Sequence, residues 1–320
     1  MSELLERLGV ERPVVQAGMG GGLSRARLAA AVSEAGGLGT IGILPPDGLR
    51  AEIAAARERT DRPVAVNLLL PFARRAHAEA ARDADVVVTF WGRPRRPADR
   101  PWLHQAGSLR EAVGARGEGA DGVILQGVEA GGHVRGELPA LELLAIVRRE
   151  IPPPYPLLLA GGISDRTGVE AALDVGADAA VLGTRFLMTP ESDAHPLYRE
   201  RLVAARETLL TELFGMGWPA KHRVVENEAT RRWLAREPRG PVAVRALNRI
   251  TAPLASRTPV RVQEALLARQ SARVPLFAPV APTTGRPATL LETAPLYAGE
   301  TVARIDDIRP AGDIVRELAP

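Results

Sequence analysis

The 320 residues carry 41 lysines and arginines against 38 acids, a formal net charge of +3, so no strong charge field argues for nucleic acid as the partner. Cysteine is absent, which excludes disulfides, thiolate metal sites and a cysteine nucleophile. With 46% hydrophobic residues, the length suits one large α/β domain with an addition, or two domains.

The opening MSELLERLGVERP is charged and amphipathic and lacks the apolar stretch of a signal peptide. No apolar run approaches the ~20 residues that span a bilayer. The expectation is a soluble, cytoplasmic protein with no membrane partner. Lys221 is the only lysine, and the densest basic cluster is RPRRPADR, residues 93–100. With only Trp91 and Trp102 flanking it, that cluster reads as a solvated loop and not as a nucleic-acid surface.

From Pro13 onward, short apolar runs alternate with helical stretches. PVVQAG reads as a strand and LSRARLAAAVSEAG as a helix closed by Gly36 and Gly37. LGTIGIL is a strand, and DGLRAEIAAARERT a helix with Asp47 as its expected N-cap. PVAVNLLL (strand), FARRAHAEAARD (helix) and ADVVVTFWG (strand) follow. The rhythm then breaks. RPRRPADRP holds three prolines and leaves no room for a crossover helix. It resumes with WLHQAG (strand), SLREAVGARGEG (helix), DGVILQG (strand) and LPALELLAIVRREI (helix). PLLLAGG (strand), SDRTGVEAALDVG (helix), DAAVLGT (strand) and HPLYRERLVAARE (helix) complete the run.

Eight strands alternating with helices require a parallel sheet, because parallel neighbours need crossovers. Continuous apolar strands indicate that both faces are covered. Eight units in roughly 200 residues favour a closed (β/α)8 TIM barrel over an open sheet. The barrel is expected over residues 1–206 and a smaller helical lid domain over 207–299, with helical pieces TRRWLAREP and PVRVQEALLARQS. The tail, 300–320, ends in an amphipathic helix that should return to the barrel. At residues 93–101 the barrel should lack its outer helix. That gap could weaken the barrel, form a docking surface, or be covered by a second subunit in a homodimer.

In such a barrel the working face lies at the C-terminal ends of the strands. AGGIS after the seventh strand opens a helix with Ser164 or Asp165 at the cap, and LGTRF after the eighth offers Gly183 and Thr184. Gly161 and Gly162 permit close backbone approach. Helix N-termini attract anions, so these adjacent loops form a candidate phosphate site. No Walker motif points to a nucleotide triphosphate, and no HExxH or His/carboxylate cluster points to a metal. After the sixth strand, VEAGGHVRG places His133 on a bare turn beside Gly131 and Gly132. His77 reads as a surface residue and His195 as structural. His104 points to the mouth or the core. His222, near Trp218, could face a substrate, and Trp91 could wall the pocket.

VVQAGMGGG, EAGGLGTIG, EAGGHVRG, LAGGIS, LGTRF, AHPLYRERL and DIRPAGDIVREL together resemble the nitronate monooxygenase family. The flavin-dependent enoyl-ACP reductases share most of these motifs. The resemblance implies an FMN-binding barrel. Gly161, Gly162, Gly183 and Thr184 match the phosphate-binding turns. Ala17, Gly18 and Met19 match the segment against the isoalloxazine ring. Asn67 matches a polar flavin contact, with Gln105 a weaker candidate. His133 matches the active-site histidine, and Gly131 and Gly132 let its loop pass close to the ring. The implied activity is oxidation of an alkyl nitronate, or of a nitroalkane after deprotonation, with O2. The alternatives are an NAD(P)H-dependent enoyl thioester reductase and a non-catalytic barrel that serves as a binding partner. No dinucleotide fingerprint is evident.

Overall fold

The computed structural model describes residues 2–255 and 269–320. Eight parallel strands form the barrel: β1 (Val14–Gln16), β2 (Gly39–Ile41), β3 (Val64–Leu69), β4 (Val86–Phe90), β5 (Trp102–Ala106), β6 (Gly122–Gln126), β8 (Leu157–Ala160) and β9 (Ala179–Leu182). A two-residue strand, β7 (Gly132–His133), interrupts the loop after β6. The spatial order is β1-β9-β8-β6-β5-β4-β3-β2. The last seam closes where Leu38 N donates to Val14 O (3.0 Å) and Gln16 N to Leu38 O (2.9 Å). The expected (β/α)8 barrel is thus present, strand for strand.

The strands are apolar on both faces because both are buried. Val15, Ala65, Val88, Leu103, Ile124, Leu158 and Val181 fill the interior. Leu4 and Leu5, on the helix Glu3–Arg7, pack into the same cluster. On the outside, helices Ala26–Glu34, Ala140–Glu150 and Arg166–Asp174 supply Leu28, Val32, Leu143, Val147 and Val169 to one layer. Ile314, Val315 and Leu318 of the C-terminal helix Ala311–Leu318 join that layer. One cap differs from expectation. The second crossover helix is Pro46–Arg57 with Pro45 at the N-cap, so Asp47 sits inside the first turn. Proline at the first helical position has no N–H to satisfy and a φ already set for the helix.

Between β4 and β5 there is no helix. The chain turns at Trp91 (φ 62°) and Gly92 (φ 77°) and crosses as a loop tied down by arginines. Arg96 makes a forked pair with Asp121 (2.9 and 3.1 Å), and Arg100 Nε donates to Arg82 O (2.7 Å). Ala98 is buried in a second outer cluster, with Ile53, Val66 and Val87.

The region beyond the barrel holds a helix at Glu228–Leu234, overlapping TRRWLAREP, and a second helix, Val242–Ala255, that was not expected. PVRVQEALLARQS falls, apart from its last three residues, outside the described residues. The region also holds an antiparallel sheet that the sequence did not announce: β10 (Leu209–Thr211), β11 (His222–Val225) and β12 (Leu296–Tyr297). β10 takes one edge of β11, while β12 and the barrel's own β7 share the other, with His222 opposite His133.

Barrel closure leaves no room at Gly39, where a Cβ would overlap the backbone carbonyl of Ala29, whereas at Gly114 a Cβ meets nothing within 4 Å. Gly39→Ala should destabilise the protein by about 1–3 kcal/mol or more. Gly114→Ala, in the helix Leu109–Gly117, should be stabilising by roughly 0.5–1 kcal/mol. Urea unfolding of the two variants against wild type checks both.

Candidate active site

β1, β9, β8 and β6 lie side by side, so their C-terminal loops meet at one mouth. This brings together Ala17, Gly18 and Met19, then Gly183 and Thr184, then Gly161 and Gly162, and finally Gly131, Gly132 and His133. Ala17 N donates to Leu182 O (2.9 Å), and Met19 exchanges hydrogen bonds with the Ser24 hydroxyl (2.9 and 3.2 Å). Asn67 joins the group from β3: its Nδ2 donates to Gly18 O (3.1 Å), while its Oδ1 is buried without a partner. Gln105, half-buried on β5 next to β6, makes no side-chain hydrogen bond among the described residues.

Gly161 (φ 105°) and Gly162 (φ 74°) occupy the left-handed region, which disfavours any residue with a Cβ. Of the two cap candidates, Asp165 is the cap, accepting from Gly168 N (2.8 Å), and Ser164 Oγ donates to it (3.1 Å). Thr184 Oγ1 accepts from Gly299 N (2.8 Å), which leaves its own hydrogen to donate outward. Arg304 Nη2 donates to Gly162 O (2.8 Å), placing a cation beside the same turn. Gly131 lies against the backbone of Ala298 and Gly299, where a Cβ could not fit.

His133 is set by its loop. Gln126 Nε2 donates to His133 O (3.1 Å), and Gln126 Oε1 accepts from Arg135 N (2.8 Å). The imidazole stacks on Trp218 at 3.6 Å between centroids and 11° between planes. Tyr297 and His222 each lie 5.5 Å away. Its Nε2 is buried without a partner. Burial, and then His222, hold its pKa well below the ordinary 6.5, so the ring is neutral at pH 7 and can accept a proton. Trp218 also meets Phe72 and Trp91 edge-on, each at 5.5 Å. Trp91 Nε1 is buried without a partner, and the Arg135 guanidinium lies 4.8 Å from its ring.

The other histidines are structural. His222 donates from Nδ1 to Ala220 O (3.0 Å) and accepts from Phe214 N at Nε2 (3.2 Å). Both nitrogens are spent, so it does not face a substrate. His104 takes the core option, with Nδ1 2.7 Å from Thr89 Oγ1, which also accepts from Trp102 Nε1 (2.7 Å). His195 caps the helix Pro196–Ala204. His77 corrects the surface reading: it is buried, and its Nδ1 accepts from Arg74 N (3.1 Å). Sequence reasoning did not single out Gln126, Tyr297 or Arg304, and Trp218 was noticed only as a neighbour of His222. Gln126 could have been found, as a polar residue ending an otherwise apolar strand.

The nitronate monooxygenase family model matches residues 2–91 and 98–320. The chain belongs to the nitronate monooxygenase family. The gap between the two matched segments, 92–97, falls in the loop that replaces the crossover helix. The nitronate monooxygenase of Pseudomonas aeruginosa is 34% identical over 270 residues, covering 65% of this chain and 76% of the relative. A Mycobacterium tuberculosis protein, (3aS,4S,5R,7aS)-5-hydroxy-7a-methyl-1-oxo-octahydro-1H-indene-4-carboxyl-CoA dehydrogenase, is 32% identical over 245 residues, 70% of this chain and 66% of its own. Among solved structures, FabK from Thermotoga maritima superposes with a TM-score of 0.77 at 30% identity, covering 99% of this chain and 94% of FabK. Nitroalkane oxidase from Streptomyces ansochromogenes gives 0.75 at 29%, covering 99% and 96%. Like the family, the chain is an oxidoreductase, which leaves the non-catalytic reading without support. Among the described residues, no group of three or more metal-ligating side chains is placed to hold an ion, and no helix is long and apolar enough to cross a membrane.

Burial lowers His104 and His222 to about 4 each. Because the unfolded rings titrate near 6.5, their stabilising contribution is complete above about pH 6.5 and is lost as pH falls toward about 4. Each should cost on the order of 3 kcal/mol across that window. Urea unfolding at pH 7.5 and 4.5 should show the drop, and His104→Gln should remove part of it. An unchanged drop in that variant would exclude His104 as a source.

Proposed function

We propose that this protein is an FMN-dependent monooxygenase that oxidises alkyl nitronates, and nitroalkanes after deprotonation, with O2. The observation that carries the reading is His133: a neutral, half-buried imidazole whose Nε2 is buried without a partner at the barrel mouth, beside the glycine loops. The residues present fit the cofactor. The left-handed Gly161 and Gly162, with Gly183 and the Thr184 hydroxyl, would hold its phosphate, and Arg304 adds charge there. Ala17, Gly18 and Met19 would lie along the ring, and the orphaned Asn67 Oδ1 would accept a ring N–H. FMN held there would supply the redox chemistry, the passage of electrons from substrate to oxygen.

The chain's own groups supply position and proton transfer. A nitronate is already an anion and needs no base. A neutral nitroalkane must lose its α-proton, and His133 Nε2 is the free acceptor at the mouth. Gln126 fixes the loop that carries the ring. Trp218 covers one imidazole face and excludes water from it.

Oxygen uptake tests the reading. FMN-loaded protein with propionate 3-nitronate and no NAD(P)H should consume O2. His133→Ala should retain flavin but lose about 10²–10⁴-fold in turnover of a neutral nitroalkane, with nitronate turnover much less affected. Unchanged nitroalkane turnover would remove the histidine from the mechanism. The likeness to FabK over 99% of this chain favours a second reading, NAD(P)H-dependent reduction of an enoyl thioester. Anaerobic bleaching of the flavin by NADH, together with no nitronate-driven uptake, would select it.

A further inference from the structure

Trp91 stands at the C-terminal end of β4, one residue beyond Phe90. Its backbone lies at φ 62°, and among the described residues it is the only non-glycine residue with positive φ. A bulky side chain in that region is strained and persists only where its surroundings hold it. A glycine at this position would relieve the strain but would carry no indole. The ring is held from three sides: Phe90 lies at 5.4 Å, Trp218 edge-on at 5.5 Å, and the Arg135 guanidinium at 4.8 Å. Arg135 is itself fixed, since its Nε donates to Glu111 (2.6 Å) and its backbone N donates to Gln126 Oε1 (2.8 Å).

The indole N–H is the group left unspent. Trp91 Nε1 is buried and has no hydrogen-bond partner. Trp102 and Trp233 differ, because their Nε1 groups donate to Thr89 Oγ1 (2.7 Å) and Ala272 O (2.8 Å). A buried donor left unpaired is costly, and beside a catalytic mouth it marks a place where a ligand supplies the acceptor. An orphan of the opposite kind is close by. His133 Nε2 is also buried without a partner, and its ring stacks on the same Trp218 that Trp91 meets edge-on. One loop sets both groups: Gln126 binds it through His133 O and Arg135 N, and Arg135 in turn covers Trp91. The mouth thus offers one proton acceptor and one proton donor around a single indole.

A nitroalkane presents the matching pair. Its α-carbon carries the proton to be removed, and the adjacent nitro group carries two oxygens that accept. We propose that Trp91 Nε1 donates a hydrogen bond to a nitro or nitronate oxygen and so holds the α-carbon toward His133. This role rests on the nitronate oxidation proposed above. When the α C–H bond breaks, its proton passes to His133 Nε2, the C–N bond becomes double, and the negative charge settles on the nitro oxygens. The Trp91 hydrogen bond then becomes charge-assisted and stronger. An interaction that strengthens as charge develops lowers the barrier instead of only improving binding. A preformed nitronate already carries that charge, so for it the same contact serves mainly binding.

Proton NMR of the FMN-loaded protein, labelled with nitrogen-15 at tryptophan, tests the contact without turnover. The four tryptophans give four indole signals, and Trp91→Phe identifies the one from residue 91. If that variant does not fold, phenylalanine variants of the other three identify it by elimination. Butanoate, a planar two-oxygen isostere of propyl-1-nitronate, should move the Trp91 indole proton downfield and leave those of Trp102 and Trp233 in place. Oxygen uptake supplies a second readout. In Trp91→Phe, kcat for 1-nitropropane should fall about 10- to 100-fold. For propyl-1-nitronate, KM should rise about tenfold with kcat much less changed. A Trp91 proton unmoved by butanoate overturns the assignment, as do unchanged constants for both substrates. Either result leaves the nitronate reading standing when the wild type consumes O2. Wild-type protein that consumes none with either substrate overturns both.

Discussion

The site depends on one short antiparallel pairing, between β7 and β11. β7 is only Gly132–His133, and a two-residue strand has no stability of its own. It persists because β11 offers an open edge, with His222 opposite His133 and Val134 N donating to Lys221 O (2.9 Å). The barrel thus lends its His133 loop to a sheet built by a later part of the chain. His222, with both ring nitrogens satisfied, is the fixed post to which His133 is tied. A buried histidine that stays neutral until the pH falls toward about 4 makes a better anchor than one that titrates near neutrality.

The barrel was legible because a strand covered on both faces must be apolar throughout. VAVNLL, VVVTF and GVILQ carry that signature within the sequence itself. The gap between β4 and β5 was legible for the opposite reason, since three prolines in RPRRPADRP forbid a helix wherever they fold. The glycine loops were also readable, because positive φ is a demand placed on a single residue.

The second sheet was not legible. LLT, HRVV, LY and GH are too short and too mixed to show a period, and each is a strand only because distant residues pair with it. The same limit applies to the aromatic cluster at the mouth. Phe72, Trp91, Trp218 and Tyr297 are far apart in sequence, and only the closed barrel brings them around His133. His77 misled because its helix is basic and looks exposed, yet the turn before it folds inward and spends the ring on the backbone of Arg74. Asp47 misled because the proline directly before it had already set the start of the helix.

The position of the C-terminal helix has a consequence for how the molecule is made. Ile314, Val315 and Leu318 share one apolar layer with Leu28 and Val32, residues near the opposite end of the chain. On the ribosome, the first crossover helix emerges early and stays without this cover until residue 318 has left the exit tunnel. During that interval the nascent chain carries an exposed apolar stripe, which is where chaperones bind and where aggregation begins. The outer wall of the barrel is therefore finished only after this distant segment has been made.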